Sequence, residues 1–201
     1  TRAEMKALDD YADALGIEMI PCIQALAHLE QILQWPAYRD YQDTWNILLA
    51  EDEKTYALVE KMIAAASAPF RSKRIHVGMD EAQGLATGRF REKFGEKNPF
   101  DVLNDHLLKV RQICDKLGLR PMIWSDMFFR LASSAEDYYD ANITIPAEVI
   151  AKIPKGVDLV YWDYYHLDSS FYASSIDRHR ALQSEPLVAG GRLCYSPPTR
   201  R

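Results

Sequence analysis

Short apolar runs recur along the chain, and longer segments of mixed polarity separate them. Each run has the length of a single strand, and most are bounded by charged residues, glycine or proline. Strands of near-continuous apolar character are typical of parallel sheets, because helices cover both faces of such sheets. The runs therefore predict five buried strands: residues 17–23, 74–79, 120–125, 157–162 and 186–189.

The segments between the runs have helical patterns. The apolar positions of the first segment share one helical face: Met5, Leu8, Ala12 and Leu15. Gly16 then provides the left-handed residue that often closes a helix. The predicted helices are residues 1–15, residues 52–68, the segment from Asn98 to Gly118, a short helix between Pro146 and Pro154, and residues 170–182.

This alternation of strands and helices predicts the α/β class, in which two layouts compete. The glycine loop that cradles phosphate in many doubly wound sheets is absent from the sequence. Polar and aromatic residues instead follow the strands, as in a barrel whose loops surround one cavity. We therefore predict a (β/α)8 TIM barrel. It would be incomplete, because five predicted strands are fewer than eight, and residues 191–201 would form an atypical C-terminal end of this partial domain, 1–201.

Charge and cysteine content limit the possible partners. The net charge of -5 and the pI of about 5.6 come from intermixed acids and bases, so we expect no nucleic-acid partner. No apolar run reaches the roughly 20 residues that cross a bilayer, and no secretion signal is visible, so we expect no membrane association. Cys22, Cys114 and Cys194 are predicted to be small buried hydrophobic residues in a reducing compartment, which favours the cytoplasm. An oligomer is possible.

Two adjacent carboxylates follow the second predicted strand in the stretch RIHVGMDEAQG. If that strand is regular, Asp80 points to one face and Glu81 turns away at the lip of the sheet, so both acids can meet one substrate. Adjacent negative charges oppose each other's ionisation, which makes one acid a candidate proton donor. A proton donor beside a fixed carboxylate is what cleavage of a glycosidic bond requires.

The acid pair and the aromatic residues at the ends of other predicted strands also have a purely structural interpretation. Asp80 could cap a turn, and Trp124 and Trp162 could belong to the core, where large aromatic side chains usually lie. The functional interpretation is favoured because polar and aromatic residues recur at the ends of successive strands, and aromatic faces commonly bind sugar rings. These residues are Gln24, His28, Asp80, Glu81, Trp124, Asp126, Trp162, Asp163, Tyr164 and Tyr165.

Several segments carry a resemblance to a known family. The string HVGMDE has a histidine, a glycine and an acid pair in the spacing of the strand-four signature of the β-N-acetylhexosaminidases of glycoside hydrolase family 20. In the same order along the chain, IPCIQALAHLE is similar to the end of that family's third strand, IWSDMF to the fifth strand and VYWDYYH to the sixth. The loop GLATGRFREKFG resembles the insertion after the acid pair. The resemblance covers roughly the second helix through the seventh strand of the barrel.

The resemblance implies a hydrolase that releases terminal β-linked N-acetylhexosamine from glycans by a retaining, substrate-assisted mechanism. Glu81 would be the general acid and later the base. Asp80 would hold the substrate's 2-acetamido group while its oxygen attacks the anomeric carbon. The implied sugar-binding residues are Trp124, Trp162, Tyr164 or Tyr165, and Asp126, the last either as a hydroxyl partner or as a support behind the acids. His76, His28 and Gln24 would orient the acids. We expect no metal or other cofactor.

Two alternatives stay open. His28, His76, Asp80, Glu81 and Asp126 could surround a divalent cation in a metal-dependent barrel hydrolase, although no close His-x-His or His-x-x-x-His pair supports this. The chain could also be a non-catalytic sugar-binding remnant of a barrel. The first strand, which supplies an arginine for the sugar in the resembled family, and the eighth strand are not recognised in the sequence. We therefore expect the isolated chain to be poorly active.

Overall fold

The centre of the fold is a four-stranded parallel sheet. The computed structural model describes residues 1–182 and 185–191. The strands are β1 Arg74–His76, β2 Arg120–Trp124, β3 Asp158–Asp163 and β4 Leu187–Gly190. Four of the five predicted strands are thus present, each within a few residues of its predicted position.

Helices precede or follow each strand. They are α1 Arg2–Ala14, α2 Glu30–Leu33, α3 Glu53–Ser67, α4 Arg89–Phe94, α5 Pro99–Lys116, α6 Asp126–Arg130, α7 Ala147–Lys152 and α8 Ser169–Arg180, with a 3-10 helix at Pro36–Tyr41. The start of α5 shows how the sequence sets these bounds. Asn98 accepts the Phe100 N–H at 2.9 Å, and Pro99 stands at a first-turn position whose N–H would have no partner within the helix. None of the helices within the described ranges is long and apolar enough to cross a membrane.

The order of the strands distinguishes the two predicted layouts. The strands lie side by side in the order in which they occur along the chain, β1-β2-β3-β4. A doubly wound sheet reverses this order at a switch point, whereas a (β/α)8 barrel does not. The prediction of an incomplete TIM barrel is therefore confirmed. The core lies between the sheet and its helices, where Val59 and Ile63 of α3 and Leu107 of α5 are fully buried.

The prediction of a strand at residues 17–23 is wrong. This segment forms only a single parallel bridge to β1, between Cys22 and His76. The Pro21 carbonyl accepts the His76 N–H at 2.9 Å, and the Ile23 N–H donates to the His76 carbonyl at 2.9 Å. Pro21 itself has no N–H to extend the ladder, and Ile17 before it is exposed. The apolar run therefore lies beside β1 without forming a strand.

The prediction that Cys22 is buried is also wrong, and the apolar face of the first helix is largely exposed. Helix α1 forms as predicted, with a capping box at Thr1 and Glu4, but Met5, Leu8 and Leu15 on its apolar face are exposed. Cys22 is exposed and lies beyond β1, at the edge of the described sheet. Cys114 is buried in α5 as predicted, and burial raises the pKa of its thiol to about 12. Cys194 and residues 192–201 lie outside the described residues.

Candidate active site

The chain leaves the sheet after β1 through a left-handed turn, so the regular strand expected up to Asp80 is not present. Gly78, Met79 and Glu81 have φ values of 68°, 73° and 49°. A Cβ at Gly78 would lie 1.9 Å from Oε1 of Gln24, so only glycine fits there. Left-handed backbone at Met79 and Glu81 costs free energy and commonly occurs at functional sites. The turn, and not strand alternation, directs the two acids.

Asp80 is held by one partner on each carboxylate oxygen. The Gln24 amide donates to Oδ1 at 2.8 Å, and His28 Nε2 lies 3.2 Å from Oδ2. The oxygen of the same Gln24 amide accepts the Met79 N–H at 3.1 Å. Gln24 therefore ties the Asp80 carboxylate to the backbone of the turn and fixes its orientation.

Glu81 is held through both its side chain and its backbone. Arg130 Nη2 donates to Oε1 at 3.0 Å, while Oε2 lies 3.5 Å from Nε2 of His28. The Glu81 N–H donates to Oδ2 of Asp126 at 3.0 Å. His28 thus lies beside both acids, and its own φ of 56° is also left-handed.

The acids open into a shared pocket of about 250 Å³. Its lining consists of Asp80, Glu81, Trp124, Trp162, Tyr164 and Tyr165. The volume is slightly below the range of about 300 to 1,000 Å³ that is usual for ligand pockets, and it suits a single sugar ring. The pocket therefore combines two carboxylates with aromatic walls. Aromatic walls can pack against the apolar face of a sugar ring, and carboxylates can bind its polar edge.

His76 lies behind this pocket. Its Nδ1 accepts the Gly78 N–H at 3.1 Å, and its ring centre is 4.3 Å from that of Trp124. Burial lowers the pKa of His76 to about 4, with the Asp80 charge acting in the opposite direction, so the ring is neutral at pH 7. Its contacts fix the turn and a wall of the pocket.

Asp126 is not among the residues that line the pocket, so the structure does not bring it to the position predicted for a sugar-hydroxyl partner. Its side chain is fully buried, and burial raises its pKa to about 6 although the Glu81 N–H and Arg130 act to lower it. Asp126 is the first residue of α6, two residues after β2 ends, and it turns under the acid pair. The contacts agree with the alternative role as a support behind the acids.

The comparison with protein families agrees with this geometry. The family model described as glycosyl hydrolase family 20, catalytic domain, matches residues 1–184. The chain belongs to glycosyl hydrolase family 20. The catalytic domain of this family is a TIM barrel, and the described four-stranded sheet is part of such a barrel.

Relatives of this family 20 chain include two proteins named hexosaminidase D. The protein from Bos taurus is 25% identical over 188 residues, which are 89% of this chain and 51% of that protein. The Homo sapiens protein is 24% identical over 171 residues, which are 81% of this chain and 33% of that protein. The chain therefore spans about half of the bovine relative and a third of the human one.

Solved structures of family 20 proteins share the fold. The Streptomyces plicatus N-acetyl-β-hexosaminidase in complex with Thio-NAglucal has a TM-score of 0.59 at 17% identity, with 96% of this chain and 33% of that chain covered. The Vibrio harveyi exo-β-N-acetylglucosaminidase in complex with N-acetylglucosamine has a TM-score of 0.64 at 16% identity, with 96% and 28% covered. At these identities the likeness is evidence for the fold alone.

The sequence predictions for this family 20 site did not include Arg130, Tyr138 or Tyr139. Arg130 follows Asp126 by four residues on α6, a spacing that brings two helical side chains together and could have revealed the pair. Tyr138 packs with its ring centre 5.2 Å from that of Trp162, and the Tyr139 hydroxyl donates to the Trp162 carbonyl at 3.3 Å. These two tyrosines lie in the loop after α6, and no pattern in the sequence marks them.

Asp163, at the end of β3, was noted as a polar strand end and has a clear structural role. Its carboxylate accepts the N–H groups of Tyr165 and His166 at 2.9 and 3.2 Å and the Tyr161 hydroxyl at 2.8 Å. Burial acts to raise the pKa of Asp163, but these hydrogen bonds lower it overall. Asp163 therefore holds the turn that presents Tyr164 and Tyr165 to the pocket.

One group of side chains could hold a cation. His28, Asp80 and Glu81 bring one ligand atom each within 4.8 Å of one another, and no other trio of His, Cys, Asp or Glu does so within residues 1–182 and 185–191. Nitrogen and carboxylate ligands of this kind suit zinc or manganese. His76 and Asp126, which the metal interpretation also included, are not part of this group.

Proposed function

We propose that this protein is a retaining exo-β-N-acetylhexosaminidase whose substrate supplies its own nucleophile. The observation that carries the proposal is the adjacent acid pair, Asp80 and Glu81, opening into one aromatic pocket of about 250 Å³ in a family 20 chain. The substrates are terminal β-linked N-acetylhexosaminides. The oxygen of the 2-acetamido group attacks the anomeric carbon, so the enzyme needs no nucleophile of its own.

Asp80 orients the acetamido group in this proposal. Gln24 and His28 fix its carboxylate, so it accepts the acetamido N–H without first having to be ordered. Its negative charge stabilises the oxazolinium-like intermediate, in which the acetamido nitrogen shares the positive charge. A carboxylate preorganised by two partners is well suited to that role.

Glu81 transfers the proton in both halves of the reaction. As the glycosidic bond breaks, Glu81 gives its proton to the leaving oxygen, while the acetamido oxygen bonds to the anomeric carbon. Water then attacks that carbon, the acetamido oxygen leaves it, and Glu81 takes a proton from the water. Configuration at the anomeric carbon is retained because two displacements occur.

The aromatic lining supplies the sugar-binding surface. Trp124 and Trp162 are positioned to pack against the sugar ring and the acetamido methyl group, with the Trp162 and Tyr164 ring centres 5.7 Å apart. Burial raises the pKa of Tyr164, so its hydroxyl keeps its proton and can donate to the acetamido carbonyl. Tyr165 lines the same pocket and is the second candidate for that contact.

The central experiment replaces Asp80 in the full-length protein and varies the substrate. D80N keeps the shape of the side chain and removes its charge, so turnover of an aryl N-acetyl-β-glucosaminide should fall by about two to four orders of magnitude. D101N, which changes a half-exposed aspartate of α5 paired with Lys152, is the matched control and should leave turnover unchanged. The corresponding β-glucoside, which has no acetamido group, should be a very poor substrate.

Three results would contradict parts of this proposal. Equal cleavage of the glucoside and the glucosaminide would indicate an enzyme nucleophile. An unchanged rate in D80N would remove Asp80 from the mechanism. Tight calorimetric binding of a thiazoline analogue of the cyclised intermediate without any turnover would favour a non-catalytic sugar-binding protein.

A metal-dependent hydrolase is the second candidate, because His28, Asp80 and Glu81 lie close enough to share a cation. However, Arg130 already occupies Oε1 of Glu81, and Gln24 occupies one oxygen of Asp80. A chelator titration separates the two candidates. Loss of activity that added zinc or manganese restores would favour the metal-dependent enzyme, whereas unchanged activity favours substrate assistance.

A further inference from the structure

Arg130 lies directly behind Glu81 and uses all three of its guanidinium nitrogens. Nη2 donates to Oε1 of Glu81 at 3.0 Å, Nε to Oδ2 of Asp126 at 2.8 Å, and Nη1 to the Glu136 carbonyl at 3.0 Å. Its guanidinium carbon is 5.9 Å from the centre of the Tyr138 ring. The side chain is only 14% exposed, so its position is fixed by these contacts.

Asp126 and Arg130 together hold Glu81 at two points. Asp126 accepts the Glu81 backbone N–H, and Arg130 binds the Glu81 carboxylate. Asp126 is fully buried and therefore needs a positive partner, which Arg130 provides. Since Glu81 has left-handed backbone, its conformation has to be maintained by surrounding contacts of this kind.

We propose that Arg130 is the positioning residue that selects which oxygen of Glu81 transfers the proton. The guanidinium donates to Oε1 at 3.0 Å, whereas Nε2 of His28 lies 3.5 Å from Oε2. Oε2 is therefore the oxygen that gives its proton to the glycosidic oxygen and later takes one from water. This inference rests on the proposed function and adds a residue to it. Arginine suits the task because its planar fork reaches two carboxylates at once, whereas lysine offers a single point charge.

The test compares R130K with the wild-type, full-length protein on two substrates. Hydrolysis of N,N′-diacetylchitobiose needs a proton on the leaving oxygen, whereas a 2,4-dinitrophenyl N-acetyl-β-glucosaminide has a leaving group that needs almost none. Misplacement of the Glu81 carboxyl should lower kcat/KM, which reports the steps through cleavage of the glycosidic bond, by about 10- to 100-fold for chitobiose and by less than about threefold for the dinitrophenyl substrate. KM for chitobiose should change little, because Arg130 does not touch the sugar.

Two further variants separate positioning from folding. R111K changes an arginine of α5 that contacts Asp115 and the Lys155 carbonyl, and it should leave both substrates unaffected. R130A removes the side chain, and added guanidinium ion should restore chitobiose hydrolysis by about tenfold if the missing group acts through its position. A purely structural role predicts neither rescue nor a difference between the substrates.

The possible outcomes are distinct. An active wild type together with an equal loss on both substrates in R130K, or with no loss on either, would overturn the role of Arg130 and leave the proposed function intact. A wild type that cleaves neither substrate would refute the proposed function, and this inference with it. Should R130A fail to fold, R130K decides, since it keeps the charge that Asp126 requires.

Discussion

Replacing Gly78 with alanine should damage both the fold and the site, since Gly78 precedes the acid pair by two residues. Its φ is 68°, and a Cβ there would lie 1.9 Å from Oε1 and 2.5 Å from Cδ of Gln24. Because such distances are impossible for real atoms, the Gln24 amide has to move. It would then lose its bonds to Asp80 and to the Met79 N–H.

The loss of stability in G78A comes from the backbone of residue 78 and from the two hydrogen bonds of Gln24. Left-handed backbone costs an alanine roughly 1–2 kcal/mol relative to glycine. The bond between Gln24 and the charged Asp80 contributes about 1.5–3 kcal/mol, and the bond to the Met79 N–H about 0.5–1.5 kcal/mol. The free energy of unfolding should therefore fall by roughly 3–6.5 kcal/mol.

G118A is the matched control, because Gly118 has the same φ of 68° and no atom within 4 Å of an added Cβ. It should lose only the backbone term, about 1–2 kcal/mol. Urea unfolding of both variants in the full-length protein measures the difference, which isolates the contact with Gln24. Equal losses in G78A and G118A would refute the reasoning. G78A should also lower turnover more than G118A does.

Two further predictions concern buried groups. Burial lowers the pKa of His106 to about 4, despite its 2.9 Å contact with the Ala25 carbonyl. This folded-state pKa is below the unfolded value, so the free energy of unfolding falls by up to roughly 3 kcal/mol as the pH falls from about 6.5 to 4. Urea unfolding at several pH values measures this dependence, and H106Q should flatten the curve of stability against pH in that range. Parallel curves would contradict this. In native protein, a thiol reagent followed by mass spectrometry should modify the exposed Cys22 and spare Cys114 until urea is added; early labelling of Cys114 would show that α5 opens.

Much of the scaffold could be predicted because local patterns determine it. The apolar runs at β2, β3 and β4 are bounded by charged residues, glycine or proline, and their predicted positions agree with the structure within one residue at each end. Strand β1 is shorter than predicted, since Gly78 and Met79 take left-handed backbone. A hydrophobic pattern does not report the sign of φ. The segment at residues 17–23 failed for a different reason, since its composition favoured a strand and Pro21, which has no N–H, prevented a continuous ladder.

The residue types of the candidate site could be predicted from the sequence, but not which residues are buried and which line the pocket. The residues at the strand ends do converge on one pocket, as the barrel interpretation requires. Which of them faces the pocket depends on how each chain leaves its strand. Asp126 starts a helix and turns inward, so it is buried, whereas Trp124 two residues earlier lines the pocket. The spacing of four residues pairs Arg130 with Asp126 within α6, but the contact of Arg130 with Glu81 is a property of the tertiary structure.

The geometry of the acid pair depends on two neighbouring segments, one on each side. The Ala25 N–H donates to the Val77 carbonyl at 3.0 Å, and the Trp124 N–H donates to the Gly78 carbonyl at 3.1 Å, so both neighbours are bonded to the turn just before the acids. Side chains then repeat this arrangement, since Gln24 holds Asp80 from one side and Arg130 holds Glu81 from the other. Two adjacent residues can therefore be oriented independently. A pair of acids on one strand end can serve two different atoms of a substrate only because each acid is fixed from its own side.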